Sequence, residues 1–271
     1  MRKLGDELES QPYWEEATKN YVNNLTGDYH THRLAVIDAL IPKELYQSGR
    51  RIFDFGCGNA LHFPQFTKHG AHIEGVDISA AMLATAHNNL AEKSLPRELA
   101  RLGGVEAMKE LPAAAFDAVI SFNVLAYLTD AEENAFYTQA TRIIKPGGQL
   151  IVTHSNELFD LFSLNGLTAN FFVEHFAAIS AGKLLVNNAI VASQPLYNVR
   201  ENPLAYRFKL AGFGFEEVQQ EFINFHALPP AQMPERRSYV DTLSFSADQR
   251  WKLMFQCSTY GSRAVRRSVE A

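Results

Sequence analysis

The chain has 271 residues, 46% of them hydrophobic and 20% charged, which is enough for a sizeable core in one large α/β domain or two small ones. Its 25 Lys and Arg against 30 Asp and Glu leave a net charge of −5, so no strong basic field exists to hold a nucleic-acid backbone by counterion release. Collagen-like, disordered and coiled-coil classes are excluded by composition. Only two cysteines occur, Cys57 and Cys257, and a chain of this size needs no disulfide staple, so free thiols in a reducing compartment are expected. The opening MRKLGDELESQ is charged and lacks the apolar run of a secretory signal. The best uncharged stretch, 184–199, has 16 residues with three asparagines and a proline, short of the roughly 20 apolar residues of a membrane span. The expectation is a soluble cytoplasmic protein with neither a membrane nor a nucleic-acid partner.

Residues 12–48 read as one or two helices, with a helical stripe in DYHTHRLAVIDAL. From Arg51 to His154, short apolar runs alternate with helical spacing. RIFDF (51–55) reads as a buried strand, followed by LHFPQFTKHG, and AHIEGVDI (71–78) as the next strand. SAAMLATAHNNLAEKS (79–94) is a predicted helix with Ser79 as its N-cap. FDAVISFN (116–123) is a third strand. DAEENAFYTQATRIIK (130–145) opens with acids and closes with bases, as the helix dipole prefers. KPGG breaks that helix, and QLIVTH (149–154) is a fourth strand. Such alternation predicts an α/β fold, a parallel sheet with helices on both faces. Beyond it, 157–180 is aromatic and helix-like, 183–203 reads as a loop or hairpin, and 203–222 resumes helix then strand. A helix near 247–256 and a strand near 258–266 close the chain. The stretch 157–202 follows a strand's carboxyl end, the side where ligands bind in such sheets, and reads as a substrate lid.

DFGCGNA (54–60) is the most informative segment, closing one strand and opening a helix. Two glycines let backbone approach a ligand, and the helix start offers unpaired N–H groups. A dinucleotide fingerprint would need a glycine at the position of Leu61. Asp54 can neutralise an ammonium group; the alternative is a turn whose Asp merely caps the helix. GVDIS (75–79) places Asp77 at the end of the next strand, 19 residues after Gly58, where an acid can accept both hydroxyls of a ribose. Ile78 and Met82 would supply an apolar wall for an adenine ring, while the alternative for Asp77 is a helix cap.

These motifs, in this order, resemble the class I S-adenosylmethionine-dependent methyltransferases, over roughly residues 50–154. DFGCGNA resembles the first motif, with Ala60 in place of the commonly found third glycine. VDIS resembles the ribose-binding acid, FDAVISFNVLAYL (116–128) the fourth-strand motif, and TRIIKPGGQLIVTH the helix, turn and strand after it. The resemblance implies a Rossmann-like, seven-stranded, mostly parallel sheet, with 1–48 as an N-terminal helical cap and 49–271 as the methyltransferase domain carrying the 156–202 lid insert. It also implies S-adenosylmethionine as cofactor and S-adenosylhomocysteine as product. Asp54 and the backbone of Gly56, Cys57 and Gly58 would hold the methionine moiety, and Asp77 the ribose. Asn123 and Val124 would face the methionyl part. The family's adenine-loop Asp is absent from GGVEAMKELP (103–112), where Val105 and Glu106 are the stand-ins. Residues before the core usually close over the sulfonium in this family, which brings in Tyr13, Tyr21 and Tyr29, a tyrosine face being able to stabilise a cation.

Methyl transfer from a sulfonium requires chiefly alignment of the acceptor and exclusion of water. An oxygen acceptor also needs a general base, a task suited to histidine. Of nine histidines, His154 is expected on the rim at the end of QLIVTH, and His226 follows the late strand in NFHALPP. These two are the candidate catalytic residues; Tyr29, His30, His32 and Tyr127 are candidate substrate contacts. No HxxxH, HExxH or cysteine pair stands at ligand spacing, and no metal is expected. The aromatic insert with its asparagines suits a small polar molecule bearing a ring. The reading is therefore O-methylation of a sugar or other small polar metabolite. N-methylation of a small amine and a non-catalytic cofactor-binding protein stay open beside it, as does the oligomeric state.

Overall fold

The structure, a computed structural model, describes residues 11–15, 18, 28–162, 200–226 and 242–268. Helix α1 (Asp28–Leu40) leads into β1 (Arg51–Phe55), α2 (Phe63–Lys68), β2 (His72–Asp77), α3 (Ala80–Glu92), β3 (Ala100–Leu102) and α4 (Val105–Lys109). Next come β4 (Phe116–Ser121), α5 (Asp130–Ile143), β5 (Ile144–Asn156) and the single turn α6 (Phe159–Phe162). After the insert lie β6 (Arg200–Glu201), α7 (Tyr206–Gly212), β7 (Phe215–Phe225), α8 (Leu253–Gln256) and β8 (Cys257–Arg266). The sheet runs β3-β2-β1-β4-β5-β8-β7, with β6 beside the end of β5. The pairs from β3 to β5 are parallel, while β8 runs antiparallel between β5 and β7. This is the expected Rossmann-like α/β sheet.

Strict alternation along the central strands sends side chains into two cores, the pattern of a sheet covered on both faces. Phe53, Val119, Leu150 and Val152 pack with Phe136, Tyr137 and Ile143 of α5 and Tyr206 of α7. Ile52, Ala118, Ile120 and Ile151 pack on the other face with Ile37 and Leu40 of α1, Phe63 of α2 and Leu83 of α3. Ser79 caps α3 as its position predicted, its Oγ accepting from the Met82 N–H at 3.1 Å. Thr129 and Glu132 form a reciprocal capping box at the start of α5, contributing about 1 kcal/mol.

KPGG does not separate helix from strand as expected. Ile144 pairs with Phe116 and Gln149 with Ala118, so the ladder bulges around Gly147 (φ +76°) and β5 starts earlier than QLIVTH. β5 also ends later, at Asn156. The buried Asn156 amide donates to the carbonyls of Met254 and Cys257, each at 2.8 Å, and its oxygen accepts from the Leu158 N–H. At the opposite end of the sheet, Asp117 gathers three donors. Arg50 reaches it at 2.9 Å, Lys145 at 2.8 Å and the Arg51 N–H at 3.0 Å. Burial opposes its ionisation, but these partners outweigh it and hold the carboxyl below its usual range.

No helix among the described residues is long and apolar enough to cross a membrane. Most of the 156–202 insert lies outside the described residues, as does Tyr21. Tyr29 and His30 fall on the first turn of α1.

Candidate functional site

The site lies beyond the carboxyl ends of β1, β2 and β4. After β1 the chain turns through Gly56 (φ +74°) and Gly58 (φ +55°). Both the Gly56 and Cys57 N–H groups donate to the Val76 carbonyl, at 2.8 and 2.9 Å. The Gly58 N–H donates to Asp77 Oδ2 at 2.9 Å, and the Ser79 N–H to Oδ1 at the same distance. Asp77 therefore ties the glycine loop to the second strand; it is not the helix cap, a place Ser79 fills. With a further backbone bond from Ile78, the carboxylate still keeps a lone-pair direction for a ligand hydroxyl. Burial raises the Asp77 carboxyl despite these bonds.

Asp54 sits beneath the loop, 3% exposed. Burial, and then the charge of Asp77, pushes its carboxyl up to about 8. A β-carbon on Gly75, paired with Asp54 across the ladder, would meet the Asp54 carbonyl at 2.6 Å and Cys57 Cβ at 2.8 Å. Glycine there lets β2 close on the loop. Ala60, where the resemblance puts a third glycine, keeps a left-handed backbone (φ +57°) while buried.

Asn123 follows β4 in a left-handed conformation too (φ +61°), which asparagine tolerates better than most residues. Its N–H donates to Thr153 Oγ at 2.8 Å, and that hydroxyl donates to Asn123 Oδ1 at 3.2 Å. The neighbouring Val124 folds over the glycine loop so closely that its methyls fill the space of any Gly56 side chain.

These groups surround one cleft. Gly56, Gly58, Asp77, Ile78, Met82, Val105, Asn123, Val124 and Tyr127, all singled out in the sequence, line it together. Asp54 and Cys57 lie buried behind the loop. Glu106 turns away, its side chain 80% exposed and paired with Lys109; α4 presents Val105 and the preceding Gly103 and Gly104 instead. The sequence reading missed Trp14, Phe55, Phe122, Leu128 and Glu132, which complete the lining. Trp14 packs edge-on against Tyr127, with centroids 5.3 Å apart. No local pattern marks it, because the contact joins residues far apart in sequence. His62 packs on the lining residue Phe122, with centroids 5.0 Å apart. Burial, then Arg33, lowers its imidazole to about 4.

The two catalytic candidates stand elsewhere. Because β5 runs two residues beyond His154, that ring is held within the sheet and does not reach the rim. It is 4% exposed, 4.4 Å from Tyr206 and stacked on Tyr260 at 5.3 Å. His226, just past β7, is equally buried, its N–H donating to the Gln256 carbonyl and its ring against Phe159 at 4.8 Å. Neither lines the cleft, and His32 on α1 does not either. Among the described residues no cluster of His, Cys, Asp and Glu is placed to hold a metal ion.

The cleft fits an adenosyl cofactor on its own geometry. Above Gly58 an added β-carbon would meet only Met82, at 3.9 Å, so the loop offers open backbone beside a carboxylate and an apolar wall. Comparison with known proteins agrees. The methyltransferase domain family matches residues 53–152. The ubiquinone biosynthesis O-methyltransferase of Maricaulis maris is 34% identical over 116 residues, 43% of this chain and 44% of that protein. The chain thus matches under half the length of that relative. Among solved structures, magnesium protoporphyrin IX methyltransferase (ChlM) from Synechocystis PCC 6803, with bound S-adenosylhomocysteine, superposes with a TM-score of 0.59 at 15% identity. That alignment covers 95% of this chain and 98% of the other. The [4+2]-cyclase SpnF gives 0.60 at 16% identity, covering 99% and 100%. At such identities these two speak for the fold. Residues 53–152 match the methyltransferase domain family, set in the fold that S-adenosylmethionine-dependent methyltransferases of known structure share.

Proposed function

We propose that the chain is an O-methyltransferase that uses S-adenosylmethionine to methylate a hydroxyl of a small ring-bearing metabolite, a sugar or a phenol. The observation that carries this reading is the convergence of an open glycine loop, the Asp77 carboxylate and an aromatic rim in one cleft. The cofactor supplies a methyl group already activated on a sulfonium. Gly56 and Gly58 present backbone to its methionine part, with Asp54 beneath as counter-charge for the ammonium. Asp77 accepts from the ribose hydroxyls, and Ile78, Met82 and Val105 wall the adenine. Asn123 and Val124 border the reacting end, where Trp14, Phe122 and Tyr127 exclude water and offer flat faces to a ring. The name of the relative from Maricaulis supports an oxygen acceptor. The sugar alternative rests on the 156–202 insert, read as a lid together with the N-terminal cap 1–48.

An oxygen acceptor must lose a proton. His226 is favoured over His154 for that task, because it stands at the carboxyl end of its strand beside Phe159, where the insert begins. Two buried free thiols, Cys57 and Cys257, support work in a reducing compartment such as the cytoplasm.

A second reading is a cofactor-binding protein that transfers no methyl group. It is favoured by the absence of a histidine from the described lining and by a cyclase on the same fold. Calorimetric titration with S-adenosylmethionine, S-adenosylhomocysteine and NADH, followed by a screen of sugars, phenols and amines, separates the readings. Micromolar binding of the adenosyl ligands with a methylated hydroxyl product supports the first. Binding without product from any acceptor supports the second, and tight NADH binding would overturn both.

A further inference from the structure

The described N-terminal segment 11–15 is helical and lies on the cleft. Two consecutive side chains attach it to opposite banks. Glu15 clasps the first turn of α3, one oxygen accepting from the Ala80 N–H at 2.6 Å and the other from the Ala81 N–H at 2.9 Å. These are backbone donors that no earlier helical carbonyl can serve, and a carboxylate suits the positive end of the helix dipole. Trp14 reaches the other bank, packing on Tyr127 beyond β4 and lining the cleft. In the sheet β1 lies between β2 and β4. A segment fixed to the α3 start on one side and to Tyr127 on the other therefore crosses above the glycine loop.

We infer that Glu15 is a positioning residue, the clasp of a strap that holds Trp14 across the cleft and retains the adenosyl cofactor until the strap releases. Glu15 touches neither the loop nor Asp77 through a hydrogen bond, so its effect runs through Trp14. Its charge also lies close enough to Asp77 to add to the burial that raises that carboxyl. Clasping thus sets two acids near each other. Two backbone hydrogen bonds to a charged acceptor stand on one side, and like-charge repulsion on the other. The inference rests on the cofactor site and is independent of which acceptor is methylated.

The test uses the chain's two tryptophans, Trp14 and Trp251. Trp251 is 60% exposed and does not line the cleft, so Trp251→Phe leaves Trp14 as sole reporter. In that background, acrylamide quenching of Trp14 reads strap docking, and stopped-flow release of S-adenosylhomocysteine reads retention. Glu15→Ala is expected to make Trp14 at least twofold more quenchable and to speed release about tenfold. Glu15→Gln, which keeps one acceptor oxygen, should fall between Ala and Glu. A folded Glu15→Ala variant with unchanged quenching and unchanged release would overturn the clasp. A lowered melting temperature with both readouts unmoved would equally reduce Glu15 to a helix cap. If the unsubstituted chain fails to bind S-adenosylhomocysteine at all, the cofactor reading falls and the retaining role with it, whatever the quenching shows.

Discussion

Val124 stands over Gly56 so tightly that no β-carbon could be added to the glycine without moving it. The loop from β1 and the turn from β4 are thereby keyed to each other, and the left-handed φ of Gly56 removes a second degree of tolerance. Gly56→Ala should cost about 1–2 kcal/mol in backbone strain and about 1–3 kcal/mol in overpacking. Urea unfolding measures the sum, and Gly56→Ala with Val124→Ala should recover the packing part alone. Additive losses in the double variant would show that the two residues are not in conflict.

Asp77 holds the glycine loop through Gly58, and in the proposed function its remaining lone pairs accept from ribose hydroxyls. Asp77→Ala removes a charged acceptor, hydrogen bonds to which are worth roughly 1.5–3 kcal/mol each. The dissociation constant for S-adenosylhomocysteine should rise at least tenfold, by calorimetry. A folded variant with the original affinity would sink the ribose assignment.

Asp54 makes stability and binding depend on pH. Its carboxyl titrates near about 8 when folded, against an ordinary value of 3.8. The folded state therefore holds a proton that the unfolded state has lost. The stabilisation is fully present below 3.8 and is lost as pH rises toward about 8, by roughly 1.4 kcal/mol per pH unit at most. Asp77, raised in the same direction, adds to the slope. Melting temperatures of the ligand-free chain should fall across this window, and Asp54→Asn should flatten the fall. If the cofactor's ammonium binds beside Asp54 as proposed, it would expel that proton. Titrations of S-adenosylmethionine at pH 7 in buffers of different ionisation enthalpy should thus show proton release, which Asp54→Asn abolishes.

The two histidines predict opposite outcomes. His154 is packed between Tyr206 and Tyr260, so His154→Ala should destabilise by about 2–5 kcal/mol, as large core truncations do, with turnover following the folded fraction. His226→Asn should keep the melting temperature within a few degrees and lower turnover of a hydroxyl acceptor by about 100-fold, with cofactor affinity unchanged. Full activity in the folded His226 variant would remove it as the base.

Much of the sheet was legible because its strands are buried on both faces. RIFDF matches β1 to the residue, and DYHTHRLAVIDAL matches α1. The meeting of the glycine loop and Asp77 in one cleft was legible because it depends on a fixed local spacing. His154 was misplaced on the rim for a local reason: nothing in THSNE announces that Asn156, not His154, ends the strand, since the stop is made by the distant carbonyls of Met254 and Cys257. Glu106 and Val105 were inseparable until α4 turned one inward and the other to Lys109. Trp14 and Glu15 lay beyond sequence reasoning because their partners are more than 60 residues away.

The three donors gathered on Asp117 lie at the end of the sheet remote from the cleft. They cross-link the amino ends of β1, β4 and β5, so register is secured where no ligand chemistry happens. At the other end each strand opens into a loop that owes nothing to that anchorage. Loops around the cleft should therefore tolerate exchange or lengthening without loss of strand order. The sheet is thus pinned at one end and open at the other, and loop substitutions at the open end should leave strand register intact.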